Sequence, residues 1–193
     1  MGKRAETRDE LRKESVTKIH GQPTDQDITT LEKELIAIVA SIPTRLGGGN
    51  HGHAGLIVNA TKYLTMAGVA FNIPPNPDNY PTGLAANAAA GTRAREEAIH
   101  KELIAQFETF EGVKLGTKDL ILEAVDHEYL SEIEHDTLGF LNQTPRQMIQ
   151  HLLTRGGALD FADTKDLLAD RDSDWNVTEN PQIYFNCVEK AMK

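Results

Sequence analysis

"PTDQDITTLEKELIAIVASIP", residues 23–43, contains every signal that an amphipathic helix needs. Thr24 or Asp25 can cap it, and Asp27 suits the positive end of its dipole. Ile28, Leu31, Leu35, Ile38, Val39 and Ile42 recur at helical spacing, and Pro43 stops the run. A stripe this regular has to be buried against other elements, so the stretch sets the expectation of a helix-packed protein.

Upstream, residues 1–20 are charged, with weak apolar content at Leu11, Val16 and Ile19, and they read as a flexible or loosely helical leader. Residues 21–193 read as the folded region, with a possible boundary between two subdomains near 136–144. Downstream of Pro43, "GLIVN" (55–59) is a short apolar run and "TKYLTMAG" (61–68) a short helix. "VAFNIPPNPDNYPTG" follows, and its prolines restrict it to extended chain or turn. The runs flanking the short helix allow at most a small β pair near residues 55–73. From Ala85 to Phe110 the pattern predicts a long helix with Ile99, Leu103, Phe107 and Phe110 on one face and Gly112 as its stop. A further helix is expected from Lys118 into the 130s, with Ile121, Leu122, Val125, Tyr129 and Ile133 as its stripe. Thr144-Pro145 then starts a helix that Gly156-Gly157 ends. Two more are expected, near Asp163 to Arg171 and from Pro181 to Lys193. The last lacks a stop signal, which suggests a piece of a longer polypeptide. The sum is an all-α, multi-helix bundle.

Composition narrows the function classes. The chain has 193 residues, enough for a sizeable core, and no apolar stretch approaches the roughly 20 residues of a spanning helix. The N-terminus lacks the apolar segment of a secretory signal, and Glu6 stands where a myristoylation motif wants Ser or Thr. With Cys187 as the only cysteine there is no internal disulfide, and the expected location is the cytoplasm. The net charge is −9; residues 1–20 carry six Lys/Arg against four Asp/Glu, so the other 173 residues sum to −11. That excess opposes a phosphate backbone.

The segment "GGGNHGHAGL", residues 47–56, is the obvious candidate for chemistry. It has no Gly-Lys-Ser/Thr ending and does not open a long helix, so it is not a phosphate loop. His51 and His53 offer two imidazoles, but a catalytic zinc wants three protein ligands and no carboxylate or thiol flanks them. The reading preferred is a structural turn: Gly47, Gly48, Gly49 and Gly52 permit positive φ and close packing, and the histidines fill or cap it. Glu-x-x-His, half of a di-iron motif, occurs at Glu97/His100 and Glu132/His135. With 16 Glu and 7 His in the chain, two chance occurrences are unremarkable. No serine has a nucleophile-elbow context, Asp136 and Asp163 lack the glycine of an aspartic-protease loop, and "DTKDLLADRDSDW" lacks the glycine and glutamate of a calcium loop. No enzyme activity, cofactor or metal is expected. The competing readings are a metal-binding enzyme using His51 and His53, and a monomeric helical adaptor with an apolar groove.

Taken in order, "LGGGNHGHAGLIV", "KYLTMAGVAFNIPPNP", "EAVDHEYL", "GFLNQTPRQMIQHLLTRGGAL" and "DSDWNVTENPQIYFNCVEKAMK" resemble the Gag region of copia-type retrotransposon polyproteins over roughly residues 20–193. The resemblance implies a helical, non-enzymatic capsid protein that associates with copies of itself into a shell around the element's RNA, or a host-retained relative of one. The chain carries no Cys-His zinc knuckle and no protease segment, which in a full polyprotein would follow Lys193, so RNA contact would fall to other segments. Trp175, the only tryptophan, is expected to anchor the final helix to its own domain or to a neighbouring subunit.

Overall fold

The computed structural model describes residues 2–48, 50–77 and 89–155. Gly49, Trp175, Cys187 and the helices expected at 163–171 and 181–193 lie outside the described residues. The protein is all-α: α1 spans Lys3–Leu11, α2 Asp25–Ala40, α3 Ala60–Ala67 and α4 Ala90–Ala124, and residues 145–155 form α5. Short 3-10 turns at Ala54–Leu56, His127–Tyr129 and Ser131–Ile133 connect them.

α2 follows its sequence signals. Thr24 Oγ1 accepts from Asp27 N and the Asp27 carboxylate accepts from Thr24 N, a reciprocal capping box. Its stripe of Ile28, Leu31, Leu35 and Val39 is fully buried. α5 starts as its threonine and proline predict, with Thr144 and Gln147 exchanging the same pair of bonds. Its Met148, Ile149 and Leu152 join the α2 stripe, Val113, Leu120 and Ile121 of α4, and Leu11 of α1 in one core. Each such side chain contributes about 1.5–3 kcal/mol by leaving water. Among the described residues, segments on both sides of 136–144 therefore share a single core.

Two expectations need correction. Residues 1–20 do not form a free leader: α1 lies along α4, and Ile19 N donates to Ala124 O at 2.8 Å, which fastens the strap that follows. The reason is that Gly112 does not stop a helix. Gly112 and Gly116 sit inside α4, one turn apart, and clear a groove for α1. A Cβ on Gly112 would lie 2.7 Å from Arg4 O, and one on Gly116 2.7 Å from Leu11 Cβ. The Asp119 carboxylate closes the contact by accepting from Arg8 Nε at 2.6 Å and Arg12 Nε at 2.9 Å. Burial raises its pKa, but the Arg8 and Arg12 bonds and charges outweigh this and hold it below the ordinary carboxylate range.

Second, the two helices expected over 85–110 and from 118 onwards are one helix of 35 residues, about 50 Å long. It ends at Ala124, so Tyr129 and Ile133 fall in 3-10 turns. Ile99 and Leu103, expected on a buried face, are exposed, and only Phe110 of that stripe is fully buried. The sequence allowed at most a small β pair near 55–73, and the observed fold stays within that limit. Among the described residues there is no strand, only an isolated bridge between His135 and Gly139. Residues 69–77 are irregular, with Asn72 N donating to Leu46 O, and Pro74, Pro75 and Pro77 have no N–H to build a ladder.

Candidate functional site

The glycine–histidine segment wraps the C-terminal end of α2 and is set by backbone approach. Gly52 adopts φ +45°, and any Cβ there would run into the Ala40 and Ile42 carbonyls. The next residue's N–H then reaches Val39 O at 2.9 Å, which folds the chain back onto the helix. Around this turn, side chains from outside the segment occupy the space that a Cβ would take. Tyr63 lies against Gly47, Val69 against Gly48 and Phe71 against Gly55. Tyr63 is fully buried, and burial pushes its phenol up against the opposing influence of the Gly48 backbone.

The two histidines take separate environments. His53 is 1% exposed and points Nδ1 at Ile42 O, 3.2 Å away, so this nitrogen carries the proton and donates it. Burial lowers the pKa of His53 despite that bond, which keeps the ring neutral at physiological pH. Its other ring contact is edge-on to Phe71. His51 is half-buried and meets Tyr63 edge-on. No group of three His, Cys, Asp or Glu side chains among the described residues is placed to hold a metal ion. Neither Glu-x-x-His pair forms part of a metal-binding group among the described residues. Glu132 binds Arg155 at 3.0 Å, His135 Nδ1 accepts from Thr137 N at 3.1 Å, and Glu97 is exposed on α4.

Two cations, the partly buried Arg146 and the buried Lys118, neither of which stood out in the sequence, hold this region together. Arg146 in the first turn of α5 donates to Gly55 O at 2.7 Å, to Ile57 O at 3.2 Å and to Val58 O, so one guanidinium satisfies the carbonyls that the 3-10 turn leaves open. Lys118, 4% exposed, donates to Phe140 O at 2.8 Å and Leu141 O at 3.2 Å, fixing the loop before α5 to α4. Burial lowers the pKa of both. A signal for each exists in the sequence. A cation in the first turn of a helix opposes the dipole, and a lysine heading an apolar stripe at 118, 121, 122 and 125 has to find acceptors.

Two cavities flank the segment. The larger, about 380 Å³, lies between α1, the 42–45 turn and α4, with His53 on its wall and the Arg45–Glu102 ion pair among its lining residues. The smaller, about 210 Å³, is walled by Leu56, Phe71, Ile73, Pro74 and Phe110, with Arg146 at its edge. Its polar groups are already engaged: Lys114 with Glu111, Arg146 with backbone carbonyls. What it can take is therefore an apolar group.

The fold and site together define an all-α protein organised by a glycine-rich turn and two carbonyl-capping cations, with an apolar cavity beside them. No family model matches the chain, and no curated protein or solved structure is significantly similar to it.

Proposed function

We propose that this chain is a capsid-like, non-enzymatic protein whose work is association with copies of itself, as its resemblance to copia-type Gag regions implies. The observation that supports this best is the apolar surface of an otherwise well-packed helical body. Leu64 and Met66 lie on α3 and Val69 and Ile73 just after it, Ile99 and Leu103 lie on α4, and Leu138 and Leu141 on the loop before α5, all 40–72% exposed. Exposed apolar side chains of this size are the anchors that a contact between copies would bury. In this reading the protein is cytoplasmic, RNA is held through segments other than these acidic residues, and the glycine–histidine turn is scaffold. No helix among the described residues is long and apolar enough to cross a membrane.

The test is electron microscopy of the purified chain over a range of salt and protein concentrations, with and without RNA. Regular assemblies are the expected result. Isolated monomers under every condition would favour a helical adaptor, and stoichiometric zinc lost in a His51→Ala/His53→Ala variant would favour the metal-binding reading.

A further inference from the structure

The smaller cavity has an apolar projection beside it. Lys118 holds the carbonyls of Phe140 and Leu141, and Lys114, one turn earlier on the same face of α4, lines the cavity. Thr144, three residues after Leu141, lines it too. Leu141 is therefore fixed within about 10 Å of the rim, the reach of three residues. The turn that carries it is well ordered internally: His135 and Gly139 exchange two backbone bonds, and Leu141 N donates to Leu138 O at 3.1 Å. Leu141 is nevertheless 58% exposed and Leu138 44%, while Ile73 on the cavity wall is 72% exposed. A cavity and an exposed apolar turn thus lie within about 10 Å of each other, the turn anchored to α4 by Lys118 and the cavity wall to α5 by Arg146.

We infer that this face is a two-fold contact between copies of the chain, in which the Leu138–Leu141 turn of each copy seats in the Phe71–Ile73–Phe110 cavity of the other. The inference rests on the self-association proposed above and names its surface. A two-fold axis is the operation that brings adjacent knob and hole into mutual register, since such an interface uses the same patch twice. Charge follows the same pairing. The knob loop carries Glu134, which is shared with His127, and Asp136, while the cavity lining carries Arg146 together with the Lys114–Glu111 ion pair, one net positive charge. Across the axis the acidic turn therefore meets a lining of opposite net charge. The occupant has to be apolar, because the groups that could bind a polar ligand are bonded within the chain.

The test is sedimentation equilibrium of the full chain and its Leu141→Glu and Ile73→Glu variants, with Ile99→Glu/Leu103→Glu for comparison. All four positions are exposed, and the unfolding curve of each variant checks its fold. Loss of a central apolar anchor is expected to weaken dimerisation roughly thirtyfold or more in Leu141→Glu and Ile73→Glu. Hydrogen exchange of the wild type supplies a readout that no variant can spoil: amides of 71–74 and 138–141 are expected to gain protection between dilute and concentrated samples. If the wild type associates but these variants dimerise within about threefold of it and the two segments gain no protection, the contact lies elsewhere and the inference fails while self-association stands. Association lost only in Ile99→Glu/Leu103→Glu would place it on α4. A wild type that stays monomeric overturns both this inference and the reading it rests on.

Discussion

Arg146 is the residue on which the region around the glycine–histidine turn depends most. Its removal leaves the Gly55, Ile57 and Val58 carbonyls short of donors in a buried place, each at a cost of about 1–3 kcal/mol. Arg146→Met is therefore expected to destabilise the fold by roughly 2–5 kcal/mol in urea unfolding, and Arg146→Lys to recover little, because one ammonium cannot reproduce the fork. His53 supplies a pH signature. Its folded pKa is lowered by burial, so below about pH 6.5 the unfolded chain takes up a proton that the folded ring refuses. Stability is full above that pH and falls on acidification towards the lowered folded value, by at most about 1.4 kcal/mol per pH unit for one proton. His53→Asn retains a donor for Ile42 O and is expected to flatten that slope in unfolding measured at pH 5.5 and 7.5. The glycines of this segment suggest a turn in the sequence, but not which side chains pack against it. Tyr63, Phe71 and Val69 reach Gly47, Gly55 and Gly48 from outside the segment, and local pattern carries no record of such partners.

At the scale of elements, the α1–α4 contact yields a prediction whose sign separates two accounts. Glycine inside a helix costs about 1 kcal/mol relative to alanine, so two glycines without a packing role would make Gly112→Ala and Gly116→Ala stabilising. Here each new methyl meets Arg4 O, Thr7 or Leu11 at close range. Each change is instead expected to destabilise by about 1–3 kcal/mol, and hydrogen exchange to show α1 released first. α2 and α5 were legible because capping and stripe agree within a single segment, with Thr24 and Asp27 at one start and Thr144 and Pro145 at the other. α1 and α4 were not, because the same glycine that reads locally as a stop reads in three dimensions as a groove. Leu11 and Thr7 look too sparse for a stripe until that groove receives them. The exposed Ile99 and Leu103 failed for the opposite reason: periodicity marks a helical face, not what covers it.

For the whole molecule, the charge of −9 governs encounters. Residues 21–193 are expected to bind RNA weakly at physiological salt, and a fluorescence titration returning tight binding would show that local cations override the net charge. Copies repel one another at low ionic strength, where the Debye length is about 30 Å at 0.01 M, and approach freely at 1 M, where it is about 3 Å. The all-α architecture follows from helical stripes visible along the chain, whereas the contact surface proposed above depends on residues that only the fold brings near one another. Self-association is the central claim, and sedimentation velocity of the purified chain as a function of concentration and salt tests it most directly. The account predicts assemblies that grow with concentration and grow further as salt is raised from 0.01 to 1 M. A single monomeric species across the whole range, with or without RNA, would contradict it.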